Sequence, residues 1–206
     1  MPLFRFGGKI LLFVHIPKTG GTSVEAMLKA CGGVEALRYS AMIPELPCTP
    51  QHFHAAILTK LIPPALYDFG FTIIRNPFDR LASEYKMRVL KQGKPIGFDA
   101  WVERMFARYA RDPFVGDNHI RPQSEFLFEG LELFRFEDNA IQGIRDRLEA
   151  LGLMSAADVP WERRSAARSM SMSSETARRI AMFYAADFER LGYHVDDPGL
   201  SLTIAE

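Results

Sequence analysis

The sequence predicts an α/β fold, a central parallel sheet with helices on both of its faces. Three observations carry that prediction. Apolar runs of strand length, at 10–16, 69–74 and 131–136, alternate with amphipathic segments of helix length. The first run passes through two glycines directly into such a segment. With 206 residues, 48% of them hydrophobic and 24% charged, the chain is long enough for one domain with a substantial core. A single domain over 1–206 is therefore expected.

The totals exclude some functions. Twenty-five basic and 25 acidic residues cancel. This argues against bulk electrostatic binding to nucleic acid but leaves room for a local basic pocket. Two cysteines, Cys31 and Cys48, make neither a disulfide framework nor a metal signature. Reduced thiols in a cytoplasmic protein are the expectation, with Cys31 in the core. Arg5 and Lys9 precede Ile10–Ile16, as in a signal peptide. That apolar run is short, however, and a glycine turn stands where a cleavage site would be. No run reaches transmembrane length.

Taken in order, 10–16 reads as a buried first strand and Thr19–Ala30 as a helix with Val24, Met27, Leu28 and Cys31 on one face. Gly32 and Gly33 end it. Pro44, Pro47 and Pro50 mark 34–50 as a surface loop, and Gln51–Leu58 as an extended or turned lead into a helix stopped by Pro63 and Pro64. Phe69–Ile74 is the second strand. Asn76 then suits a helix cap, Pro77 the first helical position and Asp79 the positive end of the dipole, with the helix running to about residue 92. Phe98–Arg111 forms another helix whose stripe of Trp101, Met105 and Tyr109 reads as core packing. A third strand at 131–136 leads to a helix over about 140–151. Ser173 or Ser174 caps a last helix that reaches Leu191 and ends at Gly192.

The stretch with most chemistry is Lys9–Leu28. A strand that ends in a glycine turn and enters a helix brings backbone N–H groups together at the positive end of the helix dipole, a site for an anion. Gly20 and Gly21 let the backbone approach an oxyanion, Lys18 adds a charge, and Thr19, Thr22 and Ser23 add hydroxyls. The Walker pattern fails here, because it requires Gly at 16 and Lys at 22, where the chain has Ile16 and Thr22. The second strand supplies another anion point. Arg75 stands at its carboxyl end, where parallel sheets bind ligands, and Ser83 follows on the next helix. Two such points suit a ligand with two separated anionic groups.

Phe13–Ser23 resembles the 5′-phosphosulfate loop of sulfotransferases, and Arg75–Tyr85 resembles their 3′-phosphate motif. The form of the first is closest to the heparan sulfate and uronyl 2-O-sulfotransferase group and its bacterial relatives. Weaker likeness extends to Leu133–Asp138 and Tyr184–Tyr193. The resemblance implies a P-loop-like three-layer fold and the donor 3′-phosphoadenosine 5′-phosphosulfate, with no metal required. Lys18, Thr19, Gly20, Gly21, Thr22 and Ser23 would hold the 5′ end, and Arg75 with Ser83 the 3′-phosphate. Lys18 would also stabilise the leaving phosphate during in-line transfer.

Transfer to a hydroxyl needs a base, and histidine suits neutral pH. His15 lies in a strand and His194 lies away from every motif. His52 and His54, two apart, face one side if the segment is extended. The family's paired histidines match here, favouring His54 as base, with His52 as helper or alternative. The resemblance further places His119, Arg121 and Gln123 on the acceptor side. It suggests a flap over the donor from Arg163, Arg164, Ser165 and Arg168. The expected activity is sulfuryl transfer to a small-molecule or glycan hydroxyl. A non-catalytic donor-binding module and, less favoured, a P-loop kinase are the alternatives.

Overall fold

The computed structural model describes residues 3–39, 41–90, 96–153 and 170–205. The elements begin with β1 (Leu3–Phe6), β2 (Lys9–Val14), α1 (Gly21–Ala30), β3 (Val34–Ala36), α2 (Ala55–Leu61), β4 (Phe69–Ile74) and α3 (Pro77–Tyr85). They continue with α4 (Phe98–Tyr109), β5 (Leu131–Arg135), α5 (Ala140–Ala150), β6 (Met170–Ser173), α6 (Ser174–Phe183), α7 (Ala185–Leu191) and β7 (Leu202–Ala205). They form two compact units, interleaved along the chain. One takes residues 1–74 and 125–163, the other 75–124 and 164–206.

The first unit is an α/β sandwich on a five-stranded sheet of order β3-β1-β2-β4-β5. The expected parallel strands are present, β2 beside β4 and β4 beside β5. At the other edge β1 runs antiparallel to both β2 and β3. The reason is local: Gly7 and Gly8 join β1 to β2 by a turn of two residues, with φ 56° at Gly7, and so short a turn can join only antiparallel strands. Leu11 and Phe13 of β2 and Phe71 and Ile73 of β4 pack under Val24, Met27 and Leu28 of α1 and Ile141, Ile144 and Leu148 of α5. Leu12, Val14, Thr72 and Ile74, which alternate with them and point the other way, are buried as well, so both faces are covered. Thr72 satisfies its hydroxyl on the Val14 carbonyl at 2.6 Å. Cys31 packs at the edge of this core, Cys48 is buried, and neither is disulfide-bonded.

The second unit is mainly helical, with β6 and β7 paired in parallel. Its core joins Phe78 and Leu81 of α3, Trp101 and Val102 of α4, Ile180 of α6 and Phe188 of α7. The stripe on α4 packs as expected, Trp101 and Met105 buried and Tyr109 against them. Asn76 caps α3, its Oδ1 accepting from Phe78 N–H at 2.9 Å. Beyond Tyr85 the helix widens into a π-helical segment, Lys86–Leu90. The last expected helix is two helices, α6 capped by Ser173 and α7 ended by Gly192. They break at Tyr184, which is buried and whose hydroxyl donates to the Ile120 carbonyl at 2.8 Å.

Among the described residues no helix is long and apolar enough to cross a membrane. The flap residues Arg163, Arg164, Ser165 and Arg168 lie outside the described residues.

Candidate functional site

In the first unit the chain leaves β2 through buried His15 and Ile16, turns over Pro17–Gly20 and enters α1. The turn needs two left-handed residues, Lys18 at φ 71° and Gly20 at φ 95°. Glycine adopts that conformation without cost, whereas a lysine there is strained, a condition typical of functional turns. Thr19, between them, is fully buried and spends its hydroxyl on the Ile16 carbonyl at 2.9 Å. Gly20 is the N-cap of α1, so no side chain caps the helix, and its first turn carries no acid. The N–H groups of that turn therefore suit an external anion, with Thr22 exposed and Ser23 half-buried beside them.

Packing explains the glycines. A Cβ on Gly20 would come within 3.1 Å of the Phe136 ring, and one on Gly21 within 2.5 Å of the His15 ring. That ring is immobilised. His15 Nδ1 lies 2.6 Å from Oε1 of Glu25, whose Oε2 takes Arg38 Nε at 3.0 Å. Burial pushes the Glu25 carboxyl up, but the hydrogen bond and charge of His15, with the charge of Arg38, hold it below its ordinary value. Glu25 is thus ionised beneath the turn and His15 is structural.

His15 also meets the His52 ring edge-on, with centroids 5.2 Å apart. His52 ends a short 3₁₀ turn, Pro50–His52, and is buried. Its Nδ1 pairs with Thr49 Oγ1 at 3.3 Å and its Nε2 with Gln51 Nε2 at 3.0 Å. An amide nitrogen only donates, so the lone pair of His52 is engaged at Nε2. His54 follows with extended backbone as the N-cap of α2, its ring against Phe126. The two histidines therefore have different surroundings.

In the second unit Arg75 directly follows β4 along the chain and Ser83 is half-buried on α3. Lys86, which no sequence pattern marks, has its Nζ buried without a hydrogen-bond partner among the described residues. Burial lowers its pKa; Asp79 opposes that shift and the charge of Arg75 adds to it. The residues expected on the acceptor side are mostly turned inward. Arg121, 5% exposed, donates to Asn118 Oδ1 at 2.9 Å and the Pro113 carbonyl at 3.1 Å. Gln123 is fully buried against the backbone of Arg75. His119 is anchored by Nδ1 to Oε2 of Glu84 at 2.7 Å, and its ring is the most accessible of the three. Arg80, 1% exposed, donates to the carbonyls of Arg121 and His119, both at 2.9 Å. Arg80, Glu84 and Asp187 lie within stretches that carry the family likeness, but their roles are not legible there because, Arg88 for Glu84 apart, the partners named come from distant segments.

A family model described as "Sulfotransferase family" matches residues 2–194. The chain belongs to the sulfotransferase family. Among solved structures this family member is similar to a sulfotransferase from Alicyclobacillus acidocaldarius, at 23% identity and a TM-score of 0.45. The match covers 70% of this chain and spans 58% of that protein's length. A search of curated proteins found no match.

Proposed function

We propose that the chain is a single catalytic domain that moves a sulfuryl group from 3′-phosphoadenosine 5′-phosphosulfate to a hydroxyl of a carbohydrate or related acceptor. The observation that carries this reading is the turn before α1. Its left-handed Lys18 and Gly20 and its uncapped helix start fit the 5′-phosphosulfate of such a donor. Arg75, a fork of paired donors, is the residue for the 3′-phosphate, with Ser83 adding a hydroxyl. The loop sequence and the paired histidines support kinship with the 2-O-sulfotransferase group. They do not extend to heparan sulfate as the substrate.

In this reading the acceptor oxygen attacks sulfur in line, one sulfur–oxygen bond forms, and the bond to the 5′-phosphate breaks. Lys18 stabilises the charge developing on the leaving phosphate. The acceptor proton passes to His54. It is preferred to His52 because Gln51 already engages the His52 lone pair, which leaves His52 a supporting role. His119 is the residue kept for the acceptor side, since Arg121 and Gln123 are committed within their own unit.

Thermal denaturation with 3′-phosphoadenosine 5′-phosphate, set against ATP with magnesium, tests the donor. The first should raise the melting temperature. Stabilisation by ATP alone would sink the proposal in favour of a kinase. A donor-consumption assay with His54→Ala, folded but inactive, tests the base. Full donor binding with no turnover on any hydroxyl acceptor would favour a binding module.

A further inference from the structure

We propose that Gln123 is a positioning residue for the donor's 3′-phosphate, acting by fixing the backbone of Arg75. The inference rests on the reading of Arg75 as the 3′-phosphate ligand. Gln123 is fully buried, 48 positions beyond Arg75, and both ends of its carboxamide are spent on that one residue. Its Oε1 accepts the Arg75 N–H at 2.9 Å, and its Nε2 donates to the Arg75 carbonyl at 2.7 Å. A neighbouring strand would offer the same donor and acceptor pair. Here a side chain supplies it just past the end of β4, where Arg75 must hold a defined direction.

The orientation of that carboxamide is set from behind. Asp187 on α7, also fully buried, accepts the backbone N–H of Gln123 and of Ser124, each at 2.8 Å. Its Oδ2 also faces Gln123 Nε2 at 3.5 Å. A carboxylate only accepts, so the amide must turn its NH₂ toward Asp187 and its oxygen toward the Arg75 N–H. The residues after Arg75 are pinned too. Asn76 Nδ2 donates to the Asp197 carbonyl at 3.2 Å, and Asp79 accepts from Leu200 N–H at 3.0 Å and Ser201 N–H at 2.7 Å. Arg75 therefore starts from a backbone held on both sides, and its guanidinium gives up less freedom on meeting a phosphate.

The test compares Kd for 3′-phosphoadenosine 5′-phosphate with Kd for adenosine 5′-phosphate, which lacks the 3′ group. Gln123→Glu keeps the acceptor for the Arg75 N–H. It loses the donor and sets a carboxylate oxygen against the Arg75 carbonyl and Asp187. Gln123→Met removes both bonds without adding charge. Each should weaken the bisphosphate about ten- to a hundredfold and leave the monophosphate within about twofold. Equal weakening of both ligands, or of neither, would overturn the role. If both variants fail to fold, amide exchange in the unaltered protein decides. The Arg75 N–H should exchange among the slowest of its unit and slow further only when the bisphosphate is bound; rapid exchange would overturn the proposal. Failure of the underlying reading looks different, since wild-type protein would then bind both nucleotides equally.

Discussion

Oε2 of Glu84 lies 2.7 Å from Nδ1 of His119, while its Oε1 accepts from Arg88 Nε, also at 2.7 Å. The carboxylate is buried between them. Burial pushes the Glu84 carboxyl up. The hydrogen bond and charge of His119, and then those of Arg88, outweigh it and bring the value below the ordinary 4.5. A depressed carboxyl contributes stability that is complete above its unfolded value and is lost as pH falls through the lower folded one. Stability measured by urea denaturation should therefore hold near neutrality and decline below about pH 4.5. Glu84→Gln should flatten that decline. Glu25, held by His15 and Arg38 in the other unit, has the same sign, so Glu25→Gln should remove a separate share. An unchanged acid slope in both variants would refute the assignment.

Lys18 combines the side chain proposed for the leaving phosphate with a strained backbone. At φ 71° an L residue lies in the left-handed region, which costs about 1–2 kcal/mol. Lys18→Ala keeps that strain and Lys18→Gly relieves it. Both variants should lose turnover, and the glycine variant should be the more stable by about 1 kcal/mol in urea denaturation. Turnover retained in either would remove Lys18 from the chemistry. Equal stability would show that the turn bears no strain.

Gly21 tests the coupling of the loop to its support. A methyl group there would meet the His15 ring at 2.5 Å, and His15 cannot retreat without leaving Glu25. Gly21→Ala should cost roughly 1–3 kcal/mol of stability and abolish the melting-temperature rise given by 3′-phosphoadenosine 5′-phosphate. His15→Ala in the same chain should restore part of that response by clearing the space. No rescue would place the damage elsewhere.

Where a local rule governs, the sequence was a good guide. The strand–turn–helix at 9–28, the Asn76 cap with Pro77 behind it, and the Gly192 stop all follow from residue types at short range. The β1–β2 hairpin is equally local, signalled by the adjacent glycines Gly7 and Gly8. The β6–β7 pair could not be read. Each strand has four residues, and Met170 pairs with Leu202 only because the helices between them pack. Roles within the loop 112–124 are hard to read for a related reason. His119, Arg121 and Gln123 look like ligand residues, yet a loop with few ladder bonds must satisfy its polar groups through side chains. Arg80, Tyr184 and Asp187 do so from distant elements.

The bonds from Asp79 to Leu200 and Ser201 join residues 121 and 122 positions apart. On the ribosome, at about 5–20 residues per second, that separation amounts to roughly 6–24 s of synthesis. Every strand of the five-stranded sheet has been made by Arg135, so the scaffold under the glycine turn can assemble while the first turn of α3 still awaits its partners. The bonds that pin the first turn of α3 are then among the last of the second unit that the growing chain can form. A nascent chain halted before Asp197 would own a finished sheet and an unpinned start to α3.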